Sequence, residues 1–184
     1  MAVELKKRLI SVADYHKMAE AGILPESGIE LINGEIIEMS PKGSKHTRIV
    51  KKLNKLLGQL LGDDVIISIQ DPIIANDFSE PEPDVAILKY RADFYGEEHP
   101  HGKDVLLAIE IGDTSVAYDR KFKLPLYAES GVAECWLINL AKKEIYVYWQ
   151  PSGSDYKFSE LVKLGESVKA QYFELTLDTN QIFG

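Results

Sequence analysis

Apolar positions change their period along this chain, and each change predicts an element. From Thr47 to Leu61, the residues Ile49, Val50, Leu53, Leu56, Leu57, Leu60 and Leu61 recur at helical spacing, with lysines on the opposite face and Gly62 as a stop. Upstream, "SVADYHKMAEA" (residues 11–21) opens on a serine able to cap a helix and ends before Gly22, which predicts a short helix. Between the two lies "IELINGEIIEM", two apolar-alternating arms around Asn33-Gly34. That pair suits a type I′ hairpin turn, whose two central residues both take positive φ.

Past Gly62 the pattern shortens. "VIISIQ" (65–70), "DVAIL" (84–88) and "LLAIEI" (106–111) are apolar runs of strand length, and a polar loop, "FYGEEHPHGKD" (94–104), separates the last two. "YDRKFKLPLYAESG" reads as a helix stopped by Gly131. Pro125 is tolerated only in a first turn, so the regular helix is expected to begin shortly before it. "ECWLINL" and "EIYVYWQ" follow as strands around an Ala-Lys-Lys turn, and residues 158–183 suggest a small hairpin and a closing segment. Strands this apolar cannot leave one face wet, so the reading is an α/β sandwich with a mixed sheet. The 184 residues, 45% of them hydrophobic and with no repeat or linker, are expected to form one domain, residues 1–184.

Charge and cysteine usage narrow the function. Cys135, the single cysteine, lies in an apolar run, so no internal disulfide is available and a reducing cytoplasm is expected. No apolar run approaches the roughly 20 residues that span a bilayer, and the N-terminus lacks a signal-peptide core, so neither membrane insertion nor export is expected. A net charge of -8 excludes a generic nucleic-acid coat protein. An acidic enzyme acting on DNA would need its cations gathered locally, and Lys42, Lys45, Arg48, Lys51, Lys52 and Lys55 form the one such concentration.

The acids carry the chemistry. "EPEPDVAILKY" (80–90) sets Glu80, Glu82 and Asp84 at alternate positions before a strand, and Glu110 is the one charge in "LLAIEI". If those strands are neighbours, Asp84 and Glu110 lie within a few ångströms of each other. Buried side by side, two carboxylates raise each other's pKa unless a cation intervenes. Mg²⁺ favours a few hard oxygen donors that leave positions open for water and phosphate, and Mn²⁺ substitutes for it. The bland alternatives stay open: Asp84 as a turn-capping residue, and Glu110 in a structural ion pair with Arg120, Lys121 or Lys123. Glu80 and Glu82 are expected in solvent, as are His99 and His101. His46 is expected at the surface near a helix start, with a phosphate contact as the alternative, and Tyr127 is expected to pack.

Taken together, "GIELINGEIIEMSPKGSKH", "EPEPDVAIL" and "LLAIEIGDTSVAYDRKFKLPLYAESGVAECWLIN" resemble the Uma-type family of "putative restriction endonucleases", a branch of the PD-(D/E)XK nuclease superfamily. The resemblance implies a restriction-endonuclease-like core, a central mixed β-sheet flanked by helices, and Mg²⁺-dependent hydrolysis of phosphodiester bonds in DNA. It gives Asp84 and Glu110, with the main-chain carbonyl of Ile111, as the metal ligands. The standard pattern has a lysine two residues after the glutamate, where this chain has Gly112. The family's "DRxxK" places it instead at Lys123, in preference to Lys121, and Glu30 resembles the extra N-terminal carboxylate of such nucleases. In "EIYVYWQ", large side chains on both faces suggest a homodimer. The rival reading is a catalytically silent nuclease fold kept as a binding or assembly module.

Overall fold

A computed structural model describes residues 7–113 and 115–184; the first six residues, the start of the N-terminus read above as lacking a signal core, lie outside the described residues. A short helix α1 (Val12–Glu20) is capped by Ser11, whose hydroxyl accepts from the N–H of Asp14. Next comes the hairpin of β1 (Ile29–Ile32) and β2 (Glu35–Glu38). Asn33 and Gly34 take φ of 51° and 75°, the double positive that a type I′ turn needs. The long helix α2 (Ser44–Leu60) leads into the central sheet.

That sheet has six strands in chain order: β3 (Val65–Ser68), β4 (Val85–Lys89), β5 (Val105–Gly112), β6 (Glu134–Asn139), β7 (Glu144–Ser152) and β8 (Asp155–Lys163). Only β5 and β6 pair in parallel. A parallel pair needs a crossover, and here it runs through α3 (Val116–Tyr118), a π-helical turn (Asp119–Lys123) and α4 (Leu124–Ser130). The wide turn is stitched by the Leu124 N–H bonding to the Asp119 carbonyl, and it precedes Pro125, which has no N–H to give to a regular helical ladder. The chain ends in a two-stranded ribbon, β9 (Ser167–Lys169) with β10 (Thr176–Asp178), and a terminal turn of helix, α5 (Thr179–Phe183).

Alternate residues of a strand face opposite sides, and both sides of this sheet are apolar. On one, Ile49, Val50, Leu53 and Leu57 of α2 pack over Val85, Ile87, Leu107, Ile109 and Ile111. On the other, Leu124, Tyr127 and Ala128 pack over Ala86, Leu88 and Ala108. Glu110 shares the phase of Ala108 and therefore lies under α4.

The small hairpin and closing segment expected within residues 158–183 are β9 with β10 and α5, but the tail's first part, residues 155–163, extends the main sheet as β8, which makes β7 an interior strand. One face of β7, Ile145 and Val147, is core. The other is partly covered within the chain, with the Arg120 guanidinium 4.3 Å from the Tyr146 ring centre and the Tyr148 and Tyr156 rings 6.3 Å apart, and Tyr146, Tyr148 and Trp149 stay half-buried. Among the described residues no helix is long and apolar enough to cross a membrane.

Candidate active site

The antiparallel register of β4 and β5 pairs Val85 with Ile109, which sets Asp84 beside Glu110 one step further on. The Ile111 N–H donates to Asp84 Oδ2 at 2.9 Å. A strand residue points its N–H and C=O to the same edge, so the Ile111 carbonyl faces that edge as well. Asp84 has two more hydrogen-bond partners, and the Lys42 ammonium lies 3.9 Å from its Oδ1. His46 Nε2, from the first turn of α2, lies 2.8 Å from Oδ2, and the Gln70 amide donates to Oδ1 at 3.2 Å.

Glu110 meets a different set. Lys123 Nζ lies 3.3 and 3.4 Å from its two oxygens, and the Tyr127 hydroxyl donates to Oε1. Lys123 also donates to Glu30 Oε1 at 2.8 Å, and the same oxygen accepts the Glu82 N–H at 3.1 Å. Glu30, Asp84, Glu110, Asp119 and Lys123 are all buried. They line a cavity of about 420 Å³ between the hairpin, the start of α2 and the crossover.

Burial works to raise the pKa of Asp84, Glu110 and Asp119, and the partners decide the outcome. At Asp84 the hydrogen bonds from His46 and Ile111 overcome burial and hold the carboxyl below its ordinary value. Glu110 is driven well above its own by burial, which Lys123 only partly offsets. Asp119 is raised by burial, against Lys123 and its bond from the Ser115 hydroxyl. Burial works against the Lys123 ammonium, but Glu110 and Glu30 outweigh it and push its pKa up. The site thus contains one carboxylate held ionised, one that burial pushes toward its protonated form, and a cation that keeps its proton.

Several sequence expectations change here. His46 is not a surface histidine: its side chain is 15% exposed, bonded to Asp84, and its Nδ1 is buried without a partner. Glu80 is not in solvent but buried, with its carboxylate 2.8 Å from His16 Nε2. Glu82 is half-buried at the lip of the cavity. Tyr127 packs, as expected, and also binds Glu110. Lys121 stays exposed, its ammonium 4.9 Å from the Phe122 ring, so of the two crossover lysines it is Lys123 that reaches Glu30 and Glu110. The cavity that collects His16, His99 and His101 lies elsewhere, and among the described residues no three His, Cys, Asp or Glu side chains form a metal cage. Gly112 shows why the standard lysine position is vacated. A Cβ there would sit 2.7 Å from both Ser115 Oγ and Val116 Cγ2, leaving a side chain no way out of the strand. The donor set suits a hard divalent cation: Asp84 and Glu110 carboxylates with a main-chain carbonyl between them, open to a cavity on one side.

The six-stranded mixed sheet flanked by helices is a restriction-endonuclease-like fold. The chain belongs to the Uma2 family, described as "Putative restriction endonuclease", whose profile matches residues 12–180. Its fold is similar to that of a solved "putative nuclease belonging to DUF820 from Anabaena variabilis ATCC 29413", with a TM-score of 0.74, 20% identity, and 95% of this chain and 97% of that chain covered. No curated protein matches the chain.

Proposed function

We propose that this protein is a divalent-cation-dependent endonuclease that hydrolyses phosphodiester bonds in DNA. The observation that carries the reading is the convergence of Glu30, Asp84, Glu110 and Lys123, from four separate segments, on one cavity. Family membership and the nuclease description of the structural neighbour support it. Mg²⁺, or Mn²⁺ in its place, would be held by Asp84, Glu110 and the Ile111 carbonyl, and when bound supplies an acidified water and counter-charge for the phosphoryl group. Asp84 is ready for that duty because the Ile111 N–H and His46 fix its orientation and its ionised state. Tyr127 fixes Glu110.

Lys123 acts as a cation. Its raised pKa keeps the proton on at neutral pH, so it orients the attacking water and balances charge growing on the phosphate rather than serving as the base. Glu30 holds the ammonium in place. The test is plasmid nicking in Mg²⁺ or Mn²⁺. Asp84→Asn and Glu110→Gln should abolish nicking, and Lys123→Ala should lose at least about tenfold in rate, a little over 1 kcal/mol of barrier. Lys121→Ala should cut like wild type. A wild-type protein that nicks no DNA with either metal would refute the reading and leave a silent nuclease fold.

A further inference from the structure

We propose that the solvent face of α2 is the track on which a duplex DNA backbone lies while one of its phosphates enters the cavity; this rests on the nuclease reading and names the surface that delivers the substrate. In a chain with 29 acidic and 21 basic residues, the 17 residues of α2 contain five cations and no acid. At 3.6 residues per turn, Arg48, Lys51 and Lys55 fall on the arc opposite the buried Ile49, Val50, Leu53 and Leu57, and Lys45 and Lys52 flank that buried arc on its Ile49 side. Among the described residues none of the five forms an ion pair with an Asp or Glu. Arg48 donates instead to the Phe183 main-chain carbonyl at 3.0 Å and Lys52 to the Gly184 oxygen, so these two are held in place with no Asp or Glu to offset them. An unpaired cationic stripe on an acidic protein is an electrostatic footprint for phosphate.

Its position ties it to the site. α2 begins at the cavity, where His46 meets Asp84. Across the first turn lies a second basin, of about 480 Å³, flanked by Lys45, Arg48 and Lys143 with no acid. It shares the end of the sheet that carries the acids, because the Leu140 N–H beside it donates to the Gly112 carbonyl at 2.9 Å. From His46 to Lys55 the helix rises about 14 Å, over which a duplex passes about four phosphates per strand. α2 has no aromatic side chain to stack bases, which disfavours a single strand. Its exposed face has only Leu60 as a large apolar residue, which disfavours an interfacial membrane helix.

The test is fluorescence anisotropy with a labelled duplex of about 30 base pairs in EDTA, so that no cutting occurs, titrated over salt. The triple variant Lys45→Gln, Lys51→Gln, Lys55→Gln removes three exposed cations without touching the cavity acids. It should weaken binding at least about tenfold and lower the slope of log affinity against log salt by about 2 to 3, near 0.9 for each lost phosphate contact. Lys157→Gln on β8 should change neither. A wild type that nicks plasmid while the triple variant binds duplex as wild type does overturns the surface and leaves the cavity reading standing. The same holds if the triple variant loses binding to single-stranded RNA or to anionic vesicles but not to duplex. A wild type that neither binds nor nicks overturns both.

Discussion

Replacing Lys123 by Met isolates the ammonium at the centre of the site. The unbranched stem is kept, so little empty volume is left and packing changes are small. What goes is a cation 4% exposed, bonded to Glu30 at 2.8 Å and to Glu110 at 3.3 Å. The two carboxylates then face each other across the same buried space. Breaking a buried pair from one side costs about 3–5 kcal/mol, which for a chain of this size lowers Tm by about 6–20 °C. The pH dependence has a definite sign. The folded pKa of Lys123 is raised, so its contribution is whole below the ordinary lysine pKa and fades only as pH climbs through the folded value; at pH 8 it is fully present. In the variant, Glu110, already raised by burial, takes up a proton as pH falls and removes one of the opposed charges. The deficit against wild type should therefore be largest near pH 8 and narrower at pH 5, read from urea melts in metal-free buffer. Adding Glu110→Gln should recover part of the loss at pH 8. A loss below about 1 kcal/mol, or one equal at both pH values, would refute the ion-pair account.

The two acids should respond in opposite directions. Asp84 has a lowered pKa, so its stabilisation is present above the ordinary carboxyl pKa and lost as pH falls through the folded value; Asp84→Asn should cost about 1.5–3 kcal/mol at pH 7 by urea melt. Glu110 has a raised pKa and is costly to keep ionised, so Glu110→Gln should leave the metal-free protein at least as stable at pH 8, the difference vanishing in acid. Calorimetric titration with Mg²⁺ or Mn²⁺ should give binding heat for wild type and none for Glu110→Ala. Gly112→Ala, whose added carbon meets Val116 N at 2.8 Å, should cost about 1–3 kcal/mol and slow nicking by displacing the start of the crossover.

What the sequence disclosed was what depends on local pattern. Asn33-Gly34 specifies its turn through two positive φ values, and the helical recurrence from Ile49 to Leu57 specifies the buried face of α2. The closeness of Asp84 and Glu110 could be reasoned because both strands are apolar and one polar loop joins them. Other features had no local signal. Glu80 looks solvated between prolines, and its partner His16 lies 64 residues away. His46 sits where surface histidines are common, and only the docking of α2 brings it to Asp84. β8 shows just two buried residues, Tyr156 and Val162, among nine, too few to mark a sheet strand in advance. The π turn has no sequence signature beyond Pro125. It carries Asp119 and Lys123, four residues apart and both buried.

The exposed loop from residue 94 to residue 99 has a use of its own. It joins two strands that each carry one acid of the pair, and it contributes none of the side chains around the acidic cavity. Opening the chain there would give an N-terminal piece bearing Glu30, His46 and Asp84 and a C-terminal piece bearing Glu110 and Lys123. Neither piece holds a complete set, and the β4–β5 ladder is the seam along which they would rejoin. Mixing the two pieces should therefore restore plasmid nicking that neither shows alone, and the β4–β5 pairing makes that return a readout of reassembly.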